Sequence, residues 1–127
     1  MKPLAEKIAD AELEIMRVLW RAKAPLPVAE IRKTICEKTG WDGSTAKTLL
    51  YRLQAKGVVS QKKRDVYYYA ACITEDEYNA YTTQKLIDKL YKGSAKNLIA
   101  SLVSSQRLND EDIDELRALL KGENDHE

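Results

Sequence analysis

Apolar residues in the first half of the chain recur every three to four positions, which predicts three short helices. The first is predicted over residues 11–22, with Asp10 as its amino-terminal cap. The second has Pro27 in its first turn and ends before Gly40, a residue that suits a left-handed helix cap. The inward-facing residues of these two helices are predicted to be Ile15, Met16, Leu19, Trp20, Val28, Ile31 and Ile35.

The third predicted helix begins near Ser44 and has two chemically different faces. At 100° per residue, the apolar arc consists of Ala46, Leu49, Leu50 and Leu53. The opposite arc consists of Ser44, Lys47, Thr48 and Tyr51, flanked by Thr45 and Arg52. Small hydroxyls and cations without a carboxylate are typical of a surface that approaches phosphates and base edges. A solvated face of an ordinary amphipathic helix is the alternative.

Two short runs of β-forming residues follow Gly57 and predict a hairpin. The runs are residues 58–61 and 66–70, and the turn between them, residues 62–65, is basic. A helix followed by a basic-tipped hairpin is the outline of a winged helix-turn-helix. We therefore predict a mainly α fold with a small β-hairpin, in which residues 1–72 form a winged-helix DNA-binding domain.

Residues 73–122 are predicted to form three more helices, and residues 123–127 a frayed tail. A capping box of Thr74 and Glu77 opens the first of these helices, Gly93 and Ser94 interrupt the pattern, and Asn109 opens the last. So few residues cannot enclose a core of ordinary stability, so we expect a helical dimerisation domain that packs on a second copy. Packing within one chain is the alternative. The expected dimer contacts are Leu90, Leu98, Ile99, Leu102, Val103, Leu116, Leu119 and Leu120.

The net charge of +1 conceals an asymmetry between the two halves. Residues 1–72 hold 14 Lys and Arg against 8 Asp and Glu, whereas residues 73–127 hold 7 against 12. Residues 44–64 contain no acidic residue at all. This split indicates a nucleic-acid surface in the first half and a different task in the second.

Composition and single residues exclude several classes of protein. No apolar run approaches the roughly 20 residues of a membrane span, and the amino terminus lacks a signal-peptide stretch, so we expect a cytoplasmic protein without membrane contact. Cys36 and Cys72 fit no metal-ligand spacing, and each is expected to be a small buried residue. Because neither cysteine has a base nearby and His126 lies near the end, we expect no catalytic residues, no metal and no cofactor.

Several segments together resemble one known family. They are residues 8–20 (IADAELEIMRVLW), Trp41, residues 45–53 (TAKTLLYRL), Lys56-Gly57, Tyr67-Tyr68-Tyr69, residues 90–94 (LYKGS), and Leu108-Asn109 through Glu115-Leu116. This pattern resembles the penicillinase-repressor family (BlaI/MecI/CopY) of winged-helix transcriptional repressors, and it covers nearly the whole chain.

The resemblance implies a homodimeric repressor that binds double-stranded DNA at inverted-repeat operators of TACA/TGTA type. By position, the base-contacting residues of the family correspond to Ser44, Thr45, Lys47 and Thr48. Contacts to the DNA backbone or flanks are expected from Tyr51, Arg52, Lys62, Lys63 and Arg64.

Two departures from the family leave the inducing signal open. Antibiotic-responsive members are inactivated by a protease that cleaves an Asn-Phe pair, and the aligned pair here is Ser101-Leu102. Copper-responsive members carry Cys-x-Cys motifs in a tail that has no cysteine here. Two other functions also stay open: an effector-gated regulator in which Tyr78 and Tyr81 line a small-molecule pocket, and a winged-helix module that binds protein.

Overall fold

The computed structural model describes residues 2–122, so the predicted frayed tail and His126 lie outside the described residues. A 3-10 helix over Leu4–Lys7 comes first. The other elements are α1 (Asp10–Ala22), β1 (Leu26–Pro27), α2 (Val28–Thr39), α3 (Gly43–Ala55), β2 (Val59–Lys63), β3 (Tyr67–Ala71), α4 (Glu75–Tyr91), α5 (Ala95–Ser104) and α6 (Asp110–Leu120). The prediction of a mainly α fold with a small β component is confirmed.

The chain folds as two compact units, and the boundary along the sequence falls between Thr83 and Gln84. In the first, α1, α2, α3 and the sheet bury one apolar cluster. Its fully buried side chains include Ile15, Met16, Ile31, Ile35, Leu50, Leu53 and Val58. Ile73 and Tyr78 also pack against this cluster, and both lie beyond the predicted domain boundary after Cys72.

Helix α1 begins one residue earlier than predicted and is capped by a different side chain. Ala9 is the N-cap, and its backbone N–H donates to the Glu12 carboxylate at 3.0 Å. Asp10 is the first helical residue and is exposed, so the prediction that it caps the helix is wrong. Glu12 takes this role because a glutamate at the third helical position can reach back to the N-cap amide.

Residues before α2 form a strand that the sequence analysis missed. Leu26 pairs with Tyr69 and Pro27 with Tyr68, which makes a three-stranded antiparallel sheet in the order β1-β3-β2. Pro27 is the N-cap of α2 rather than a first-turn residue, because its extended backbone (ψ 157°) belongs to this strand. At the other end of α2, Gly40 adopts φ +78°, as predicted for a left-handed cap.

The hairpin lies one to two residues later in the chain than predicted. Lys62 and Lys63 are the last residues of β2, and only residues 64–66 turn, with the Arg64 amide donating to the Val66 carbonyl at 2.9 Å. Ladder pairing with β3 extends β2 because the register pairs Lys62 with Tyr68 and Lys63 with Tyr67.

The helices of the second half begin and end with the predicted signals. The Thr74–Glu77 capping box is formed in both directions, at 2.9 and 3.1 Å. Gly93 adopts φ +86° between α4 and α5, and Ser94 caps α5 by accepting from the Asn97 amide. Asn109 caps α6 in the same way, with the Asp112 amide as donor at 2.7 Å.

Candidate nucleic-acid interface

The rotation of α3 about its axis is set by its apolar arc. Leu50 and Leu53 are fully buried, and Ala46 and Leu49 retain at most 7% exposure. This burial confirms the predicted inward face. Because the apolar arc of α3 packs into the core, the polar arc on the opposite side of the helix faces outwards.

The outward arc of α3 is exposed almost throughout. Ser44, Thr45, Thr48, Tyr51 and Arg52 are exposed, and Lys47 is half-buried. The first three of these residues line a shallow groove of about 250 Å³ together with Leu49 and Arg52. The groove presents hydroxyls and a guanidinium, without a carboxylate among its lining residues.

Thr48 uses its hydroxyl proton within the helix. Its Oγ1 donates to the Ser44 carbonyl at 2.9 Å. A hydroxyl has one proton and two acceptor lone pairs, so in this rotamer Thr48 offers an acceptor and a methyl group to a ligand. These are the groups that read an exocyclic amine or a thymine methyl.

Two cations that the sequence analysis did not assign to the site lie beside the start of α3. Arg32 and Lys33 are exposed on α2 and line a groove of about 290 Å³ that also includes Gly43. A Cβ at position 43 would lie 2.9 Å from Arg32 Nε, so this side chain passes directly over the glycine. Only the packing of α2 against α3 reveals this proximity, because eleven positions separate the two residues in the sequence.

The hairpin carries a second group of exposed cations. Lys62, Lys63 and Arg64 are all exposed. Lys63 Nζ lies 5.2 Å from the centroid of the Tyr67 ring, and Arg64 Cζ lies 5.7 Å from that of Tyr68. The structure therefore places this part of the predicted site at the end of the hairpin, partly on β2 and partly in the turn.

Lys56 differs from the other cations of residues 44–64, the segment that contains no acidic residue. Its Nζ donates to both carboxylate oxygens of the buried Glu12, at 2.7 and 2.9 Å, and to the Lys7 carbonyl at 3.0 Å. Three acceptors satisfy the three protons of the ammonium group. Lys56 therefore belongs to the internal structure of the first unit, and the sequence could not show this because its partner lies 44 positions away.

A family model described as Penicillinase repressor matches residues 8–122. The chain belongs to the penicillinase repressor family. It is 28% identical to the penicillinase repressor of Bacillus licheniformis, over 91% of this chain and 90% of that protein. It is 30% identical to the methicillin resistance regulatory protein MecI of Staphylococcus aureus, over 90% of this chain and 93% of that protein. Membership of a repressor family confirms the expectation that the chain is not an enzyme.

A solved structure is similar to part of this family member. The solution structure of the DNA-binding domain of the repressor BlaI matches with a TM-score of 0.53 and 34% identity, covering 61% of this chain and 94% of that one. Over the part of the chain that this domain covers, the fold predicted from helix periodicity and hairpin signals is thus similar to that of a solved DNA-binding domain.

The second unit of this family member leaves much apolar surface uncovered. No residue of α5 or α6 is buried, and in α4 the buried residue is Ile87. Among the expected dimer contacts, the exposed fraction is 58% for Leu90, 52% for Leu119 and 78% for Leu120. Ile99 and Val103 are also exposed, and Leu98, Leu102 and Leu116 are half-buried.

The remaining candidate residues occupy less distinctive places. Tyr78 is half-buried and packs on Trp20, with ring centroids 5.6 Å apart, while Tyr81 lines a groove of about 300 Å³. Cys36 is half-buried and Cys72 is exposed. The expectation of a buried cysteine is therefore wrong for Cys72, which comes directly after the last residue of β3.

Within residues 2–122, no helix is long and apolar enough to cross a membrane, and no group of three His, Cys, Asp or Glu side chains could hold a metal ion.

Proposed function

We propose that this chain is a DNA-binding transcriptional repressor that acts in the cytoplasm as a homodimer on inverted-repeat operators of TACA/TGTA type. The observation that carries the proposal is the outward arc of α3, whose hydroxyls and cations lie opposite a buried apolar arc. The likeness to the DNA-binding domain of BlaI and to repressors over most of their length supports the same function.

The proposed contacts divide into two groups by their chemistry. Ser44, Thr45, Lys47 and Thr48 lie in the first turns of α3, the part of a recognition helix that meets base edges in the major groove. Tyr51, Arg52, Lys62, Lys63 and Arg64 would contact the backbone or the flanks. Such contacts set position and affinity, and base contacts set the preference for a sequence.

The uncovered apolar residues of α4, α5 and α6 support the homodimer. A second copy is the partner that suits them, because an inverted repeat presents two identical half-sites related by a two-fold axis. Linking two readers makes the second contact effectively intramolecular and raises affinity for the full site without new base contacts.

An inactivating protease is the partner that the family resemblance adds to the proposal. The Ser101-Leu102 bond lies in the interior of α5, so cleavage there requires this helix to open locally. Incubating the protein with extract of induced cells, and locating any cut by mass spectrometry, tests this partner. An intact chain in extracts that abolish operator binding would contradict it.

A fluorescence-anisotropy titration tests the proposed function. The probes are two labelled duplexes of equal length and composition, one with the inverted TACA/TGTA repeat and one with the same bases scrambled, each titrated at several salt concentrations. We expect the repeat to bind about 10³-fold tighter or better, with two chains per duplex. Equal affinity for the two duplexes would contradict sequence-specific repression.

A further inference from the structure

Two cations at the end of the hairpin lie over the faces of two tyrosine rings. The Lys63 Nζ–Tyr67 distance of 5.2 Å and the Arg64 Cζ–Tyr68 distance of 5.7 Å both fall within the range of cation–π attraction. The register explains the first pair, because Lys63 and Tyr67 are direct cross-strand neighbours. Such neighbours project from the same face of a sheet.

The two pairs occupy opposite faces of the hairpin. Successive residues of a strand point to alternate faces, so Tyr67 and Tyr68 project in opposite directions. Lys63 follows Tyr67 on one face, and Arg64 lies over Tyr68 on the other. Each face of the hairpin end therefore has a cation with a ring beneath it.

A ring holds a cation without neutralising its charge. Asp65 is adjacent in sequence, yet the ion pairs found among residues 2–122 include neither Asp65 nor any of the three hairpin cations. Lys56 shows the contrasting arrangement, since its charge is balanced by Glu12. Within residues 2–122, no ion pair neutralises the hairpin cations, and Lys63 and Arg64 lie over tyrosine rings instead.

We infer that Tyr67 and Tyr68 are positioning residues that hold Lys63 and Arg64 ready for DNA phosphates. This inference rests on the proposed DNA binding. A free lysine or arginine loses rotamer freedom when it contacts a phosphate, and a ring that has already restricted the side chain reduces this loss. Tyr67 is 45% exposed, so much of its ring lies outside the core, where a cation can approach it.

The test uses the full chain and a labelled random-sequence duplex, which reports phosphate contacts alone. Tyr67→Phe keeps the ring face, and Tyr67→Leu keeps apolar bulk without a ring. We expect Tyr67→Leu to weaken binding about two- to fivefold, as the loss of an exposed cation–π contact would, and Tyr67→Phe to bind as the wild type does. The same pair of substitutions at Tyr68 tests Arg64.

The decisive comparison repeats both substitutions in a Lys63→Gln background. If Tyr67 acts through Lys63, Tyr67→Leu should have no further effect there, and Lys63→Gln alone should reduce the salt slope by about one. Circular dichroism and the thermal midpoint show whether the hairpin variants remain folded. A Tyr67→Leu loss that persists without Lys63, or a Tyr67→Phe loss of equal size, would overturn the inference. A wild-type chain that binds neither this random-sequence duplex nor the inverted-repeat duplex would contradict the proposed function and this inference with it.

Discussion

At the scale of single residues, Thr48 shows how one hydrogen bond changes what a side chain can read. The bond to the Ser44 carbonyl occupies its only proton, which leaves an acceptor and a methyl group facing outwards. Lys47 beside it supplies three donors. Together the two residues can contact both bases of a pair. Lys47 donates to an acceptor on one base edge, and Thr48 accepts from an exocyclic amine or contacts a thymine methyl group.

We predict that Lys47→Ala or Thr48→Ala weakens specific binding by about 1–3 kcal/mol and relaxes the preference at one or two base pairs. Thr48→Val and Thr48→Ser separate the two possible contacts of Thr48, because valine keeps the methyl group without the hydroxyl and serine keeps the hydroxyl without the methyl group. Competition with duplexes changed at single base pairs measures the preference. A loss of equal size on random DNA would assign these residues to phosphate contacts instead.

Sequence periodicity predicts which residues of α3 face outwards, and it does so because the apolar arc is unambiguous. It does not predict which cations are free. Lys56 looks like Lys47 in the sequence, yet a carboxylate from α1 and a carbonyl from the amino-terminal segment surround it in the fold. Arg32 was missed for the converse reason, since only the packing of α2 brings it to Gly43.

At the scale of elements, the Glu12–Lys56 pair joins the start of α1 to the residue that ends α3. Glu12 is 2% exposed and also caps α1, so its carboxylate holds two elements at once. Glu14 provides a comparison on the same helix, because its ion pairs with Arg17 and Lys38 involve more exposed side chains.

We predict that Glu12→Gln lowers the free energy of unfolding by about 2 kcal/mol, because a buried partner of Lys56 loses its charge. Glu14→Gln, the matched control, should cost less than about 1 kcal/mol, because Glu14 is partly exposed and its partners Arg17 and Lys38 are exposed. Urea unfolding followed by circular dichroism measures both values. Equal effects of the two substitutions would show that the Glu12 pair contributes no more than a surface contact.

The start of α4 carries a pH-dependent contribution to stability. The Thr74 amide and hydroxyl donate to the Glu77 carboxylate, and they lower the Glu77 pKa below its ordinary value of 4.5. A lowered pKa in the folded state stabilises the fold above pH 4.5, and this contribution is lost as the pH falls through the folded pKa.

We predict that the thermal midpoint falls less on acidification below pH 4.5 in Glu77→Gln than in the wild type. Glutamine can still accept at this position, so the substitution removes the titration and keeps the cap. Thermal unfolding followed from neutral to acidic pH measures the difference. Parallel curves for the two proteins would show that Glu77 contributes nothing to the pH dependence.

Element prediction from the sequence succeeded where a signal spans several residues. The helices have repeated apolar positions and caps, and they were found within one or two residues. Strand β1 has two residues, too few for any alternation, and β2 extends because β3 pairs with Lys62 and Lys63. Such pairing depends on a partner strand and cannot be found from one segment alone.

At the scale of the whole molecule, the apolar surface of the second unit indicates an assembly larger than one chain. We predict that the wild type sediments as a dimer at micromolar concentration and that Leu102→Asp is monomeric. Burying an unpaired carboxylate in the interface costs more free energy than the contact between the two chains contributes. Ser101→Asp, which adds the same charge to α5 at a residue that is not among the expected dimer contacts, should remain dimeric.

Binding should follow assembly in these variants. Leu102→Asp should bind the full inverted repeat only as tightly as a single half-site, and its affinity for the half-site should be unchanged. Circular dichroism must show intact helices for this comparison. A folded monomer that binds the full repeat as tightly as the wild type, or a wild type that is itself monomeric, would contradict the proposed dimer.

The two outer strands of the sheet also decide how this protein can associate. One edge is β1, only two residues long and ending in Pro27, which has no amide proton to offer another strand. The other edge is β2, where Lys62 and Lys63 place like charges along the border. Neither edge can accept a further strand easily, so crowded copies of the chain should resist fibrillation by strand addition at this sheet.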